Sequence, residues 1–192
     1  HQKLKHTEET IHAYTVANSI KPHSKWTLSH LASLCYSTGR MEDAAKYYQE
    51  LLEINPESLK YMMNAAQSLM QCNEHEAALP LLYKASFLDE ESPLVKLLLA
   101  WCLIVCGKKE DAMKHIFELQ RVETASEDAN ILMGIVLLLD GKVKEAYQQL
   151  RPIVSEKNMA DLRQKLDTLH HRKLIERTTL TLFIDALTLN ID

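Results

Sequence analysis

Cys102 and Cys106 stand four residues apart, the spacing that places two side chains on one helix face, and two thiolates so arranged could begin a zinc site. Such a site needs two more ligands, and only His115 follows close by, so the pair reads as small, buried, apolar cysteines. His170 and His171 are adjacent and so point about 100° apart on a helix, whereas histidines sharing a metal stand at i, i+4. They read as polar residues near a helix end. Serine, histidine and acidic residues are scattered without a G-x-S-x-G turn, and no paired carboxylates recur at an apolar mouth. Gly39, Gly107, Gly134 and Gly141 follow no strand, which argues against a phosphate-cradling loop. The expectation is therefore no catalytic residue, no metal, no cofactor and no enzyme.

The elements around these residues must be helices. The chain has 192 residues with only four Gly and five Pro, too few for folds rich in tight turns, and its 46% hydrophobic content is that of a globular chain. A net charge of −4, with both signs mixed along the chain, offers no basic stripe for nucleic acid and no cationic block for a membrane surface. The longest apolar run, Leu97 to Cys106, is roughly half the length of a membrane span. The four cysteines lie inside apolar helical runs, which suggests reduced thiols and a cytoplasmic setting. The chain opens on His1 rather than Met and reads as a fragment.

Internal repetition organises the rest. Ala44, Ala78, Ala112 and Ala146 follow one another at intervals of 34 residues, as do Gly39, Asn73, Gly107 and Gly141, and Ala32, Ala66, Ala100 and Gly134. Small residues let two antiparallel helices approach closely, and Gly or Asn can take the left-handed conformation that closes a helix before a short turn. Apolar columns complete the unit: Leu31, Ala65, Leu99 and Met133 precede Cys35, Leu69, Leu103 and Leu137 by one turn on the first helices. On the second helices, Tyr48, Leu82, Ile116 and Leu150 precede Leu51, Ala85, Leu119 and Ile153. A hairpin with one uncovered apolar side must stack on its neighbours, giving a continuous array.

These residues resemble the tetratricopeptide repeat family, whose 34-residue motif carries a small residue at position 8, Gly at 15, Ala at 20, an apolar or aromatic residue at 24 and Pro at 32. The best match is Leu31-Ala32, Tyr36, Gly39, Ala44, Tyr48 and Ile54-Asn55-Pro56, within residues 25–58. Later units would span 59–92, 93–126 and 127–160, with Glu90, Thr124 and Asn158 in place of the proline. Tyr14, Ala17, Ile20 and Pro22 fit the second half of a preceding unit, so 1–24 reads as the second helix of a truncated repeat. Residues 161–192 fit poorly and read as two capping helices, about 161–171 and 174–189. Pro80 and Pro152 should kink or shorten second helices. The resemblance implies an all-α, right-handed superhelix of antiparallel helix pairs acting as a non-catalytic protein-interaction scaffold.

It also implies that the first helices line a concave groove. In the first two units that face holds Trp26, His30, Tyr36, Lys60, Asn64 and Gln67, a mixed polar and aromatic surface; in the next two it holds Leu97, Trp101, Ile104 and Ile135 among almost wholly apolar neighbours. Two adjacent apolar helices must be covered. The last helix, with its stripe of Leu180, Phe183, Ile184, Leu187 and Ile191, is the expected cover; a partner's amphipathic helix or peptide, or a second copy forming a homodimer, is the alternative. The carboxylate clamp of chaperone-binding members is matched only by Asn64, since Ser29, Ser33, Leu94 and Leu98 stand at its other positions. A secretion-type chaperone holding an apolar client, and a regulatory domain of a larger protein, are the competing functions. A protein partner is expected, with neither nucleic acid nor a membrane span.

Overall fold

The computed structural model describes residues 2–22 and 24–189, and the described residues form eleven α-helices and no strand. They group into two compact units, one through Glu91 and one from Ser92. The first holds α1 (Gln2–Ile20), α2 (Lys25–Ser37), α3 (Met41–Ile54), α4 (Leu59–Gln71) and α5 (His75–Leu88). The second holds α6 (Pro93–Val105), α7 (Lys109–Leu119), α8 (Ser126–Leu139), α9 (Val143–Leu150), α10 (Glu156–His171) and α11 (Arg177–Thr188).

In the first unit each helix packs on the next, and its core joins Ile11 of α1 to Leu28, Leu31 and Cys35 of α2, Tyr48 and Leu51 of α3, and Ala65 of α4. Burial pushes the Cys35 thiol above its ordinary pKa, with Asp43 adding to the effect. The turn column behaves as its residue types require. Asn73 at φ 61° and Gly107 at φ 75° are both left-handed. The following amides, of Glu74 and Lys108, donate to the Leu69 and Leu103 carbonyls at 2.8 Å, closing α4 and α6 with six-to-one bonds. Serine repeats at the same interval: Ser24 and Ser58 accept from the backbone N–H groups of Thr27 and Tyr61, and Ser92 precedes Pro93 at the start of α6.

In the second unit α6 packs on α7 and α8 on α9, with α7 and α8 in contact. At Gly134 an added Cβ would sit 2.4 Å from Leu150 Cγ, so the small residue is what brings α8 and α9 together. Asn130 of α8 accepts amide hydrogens from Gln120 at 2.8 Å and Gln149 at 3.1 Å, tying both flanking segments to it. α5 runs through Pro80 as one helix, while α9 stops at Leu150, two residues before Pro152. α10 begins five residues earlier than the apolar periodicity predicts, because Asn158 Oδ1 accepts from the Ser155 amide at 2.8 Å and fixes the first turn. Ile191 lies outside the described residues.

Candidate functional site

The face of α2 and α4 in the first unit is assembled in three layers. At the α1 end, Tyr14 lies 5.7 Å from the Trp26 ring and stacks at 5.6 Å on His30, and the Trp26 and His30 rings are 4.2 Å apart. His30 donates from Nδ1 to the Trp26 carbonyl oxygen at 2.8 Å, a contact that an i, i+4 spacing on α2 makes possible. Trp26 nevertheless remains 63% exposed. In the middle, the Ser29 and Tyr61 hydroxyls share a 3.1 Å hydrogen bond from α2 to α4. Beyond them, the Tyr36 hydroxyl donates to Gln67 Oε1 at 3.1 Å. Burial, with Tyr48 beside it, raises the Tyr36 phenol above its ordinary pKa, so it stays a donor at neutral pH. The Gln67 amide N–H groups are left to donate, the Asn64 side chain makes no hydrogen bond with a described residue, and Lys60 is exposed. Trp26, His30, Tyr36, Lys60, Asn64 and Gln67 thus all lie in the first unit. Sequence reasoning missed Tyr14 and Tyr61, which reach this face from α1 and α4.

The corresponding face of the second unit is closed. Trp101 is 9% exposed, Ile104 and Ile135 are fully buried, and Leu97 is half-buried. The Lys165 ammonium of α10 lies 5.9 Å from the Trp101 ring centroid, and Asn158 at the start of α10 donates to Glu127 of α8 at 2.9 Å. Met159, Leu162, Leu166 and Leu169, the apolar stripe of α10, are buried as well. α10 therefore reaches over the α6 and α8 face through Lys165 and Asn158. The last helix, expected in that role, packs instead on α9 and α10, burying Leu180, Phe183 and Leu187. A dimer or an apolar client held on Trp101, Ile104 and Ile135 finds this surface occupied by the chain itself.

None of the four cysteines is in a disulfide, and among the described residues no group of three His, Cys, Asp or Glu side chains is placed to hold a metal. His115, the ligand nearest to Cys102 and Cys106 in sequence, buries Nδ1 without a hydrogen-bond partner among the described residues, and burial lowers its pKa. No helix among the described residues is long and apolar enough to cross a membrane.

The family model of the tetratricopeptide repeat matches residues 26–58. No curated protein matches the chain. Among solved structures, MamA aligns over 91% of this chain and 95% of its own, at 15% identity and a TM-score of 0.64. YrrB, described as a tetratricopeptide protein with an unusual peptide-binding site, aligns over 91% and 90% at 18% identity and 0.57. Pseudomonas aeruginosa pilF aligns over 95% and 83% at 17% identity and 0.58. At these identities the likeness is one of fold: an all-helical solenoid of helix hairpins.

Proposed function

We propose that this chain, a tetratricopeptide-repeat protein, captures an extended peptide of a partner protein on the α2 and α4 face of its first unit, without turnover. The fold is that of a protein-interaction scaffold. The observation that supports a site on this face is the contrast in exposure: Trp26 is open where Trp101 is covered. Its chemistry suits a peptide. Trp26 and His30 offer an aromatic surface for one apolar side chain, and the amides of Asn64 and Gln67 can pair with a peptide backbone that a helix would keep to itself. Lys60 beside them favours an acidic flank. The peptide site in the description of YrrB is consistent with such a ligand. Cysteines lying inside apolar helical runs fit a reducing, cytoplasmic setting for the capture.

The test is an array of short immobilised peptides probed with the full chain, followed by titration of its binders into a Trp101→Phe variant, in which Trp26 is the remaining tryptophan. Bound peptide should shift Trp26 emission, and Trp26→Ala and Gln67→Ala should each weaken binding about tenfold or more. Binders indifferent to both substitutions, or an array without binders, would overturn the reading.

A further inference from the structure

α11 does not lie flush on α9. Between them runs a cleft of about 630 Å³, lined on the α9 side by Lys144, Tyr147 and Arg151 and on the α11 side by Leu182, Phe183 and Ala186. Its size falls within the roughly 300–1,000 Å³ of ligand clefts. Phe183 is buried at its base while Leu182 is 72% exposed at its rim, although the neighbouring Leu180 and Leu187 of the same helix are covered.

The two walls differ in chemistry. Lys144 and Arg151 are seven residues apart, two turns and about 10 Å along one side of α9, and neither is in an ion pair with a described residue. None of the described lining residues is acidic; Glu145 and Asp185, exposed on the same helices, are not among them. An apolar wall facing two unneutralised cations, on a chain whose net charge is −4, is a local and specific asymmetry. Burying a ligand there removes Leu182 from water and, if the ligand is apolar alone, also strips Lys144 and Arg151 of hydration without compensation.

We infer that the α9–α11 cleft is a second protein-binding site, which takes an amphipathic helical segment whose apolar residues at i, i+3 and i+4 are flanked by Glu or Asp. The apolar side chains enter between Tyr147 and Leu182, and the carboxylates meet Lys144 and Arg151. This site is independent of the face around Trp26.

Two labelled synthetic peptides test it by fluorescence anisotropy with the full chain: one with leucines at those spacings and glutamates beside them, the other with lysine at every glutamate. The acidic peptide should bind, less tightly at high salt. Lys144→Glu combined with Arg151→Glu, and Leu182→Asp alone, should each weaken it about tenfold or more. Both changes are at exposed positions, and unchanged Trp101 emission verifies the fold. Trp26→Ala should leave the affinity unchanged, which separates this site from the one proposed above. Equal binding of both peptides, binding of neither, or displacement of the acidic peptide by phosphatidylserine vesicles would overturn the assignment.

Discussion

Trp26 and Trp101 occupy the same face of the first helix of a hairpin, seven residues apart in the repeat register, and meet opposite fates. Around Trp26 the face is built of Ser29, His30, Asn64 and Gln67, which water solvates well, so no element of the first unit needs to lie over it. Around Trp101 the face is Leu97, Leu98, Ile104, Ile131 and Ile135, and leaving it in water would cost about 25 cal/mol for each Å². A repeat scaffold therefore supplies one geometry twice, and composition decides whether that geometry is a surface or a core.

The strongest way to break this contrast is to uncover the second face. Leu162 and Leu166 are fully buried on α10, and truncating either to Ala should cost about 2–5 kcal/mol through lost transfer energy and a cavity. The pair together should release α10, giving red-shifted Trp101 emission and binding of an apolar dye, read alongside urea unfolding. Native-like Trp101 emission in the double variant would mean another element holds the cover.

A smaller effect is expected where α8 meets α9. Gly134→Leu must displace the Leu150 side chain, and overpacking of this kind costs on the order of 1–3 kcal/mol, offset by less than about 1 kcal/mol of gained helix propensity. The urea midpoint reported by Trp101 should fall. In contrast, Trp26→Ala in the first unit should change stability by under about 1 kcal/mol, since it removes a largely exposed ring whose contacts are Tyr14 and His30. A larger loss would make Trp26 a structural bracket for α1 rather than an open anchor.

Much of this was legible in the residues themselves. The turn column announced left-handed closures at Asn73 and Gly107, and the small-residue column announced the approach of Gly134 to Leu150, because backbone sterics act locally. The serine column at Ser24, Ser58 and Ser92 was equally legible and was overlooked. Lys173, left-handed at φ 58°, closes α10 with no glycine to mark it. That the apolar face needs a cover was also readable, but not which helix provides it. Hydrophobicity ranks the demand for burial, and α11 outranks α10; placement depends instead on the connection after α9, where Pro152 ends the helix and Ser155 starts the next. The α9–α11 cleft joins segments with no common periodicity, so no pattern along the chain signals it.

The finest test of the contrast is a titration. In repeat register His115 of the second unit corresponds to Leu81 of the first, so only the second unit carries a base at this position of the interface between its helices. Burial lowers the His115 pKa from its ordinary 6.5, with Lys96 and Lys114 acting in the same direction and Glu118 and Asp111 opposing them. Both carboxyls are themselves held below their ordinary pKa, Glu118 chiefly by its hydrogen bond from Lys96 and Asp111 by that from Lys114, so both remain ionised near neutral pH. The unfolded chain then takes up the His115 proton before the folded one does. Its contribution is complete above pH 6.5 and is lost as pH falls through 6.5 toward the lower folded value. The urea midpoint read by Trp101 should accordingly decline on acidification across that window, and His115→Gln should flatten the decline while leaving peptide binding at Trp26 unchanged. An identical slope in the variant would show that the proton is taken up elsewhere in the second unit.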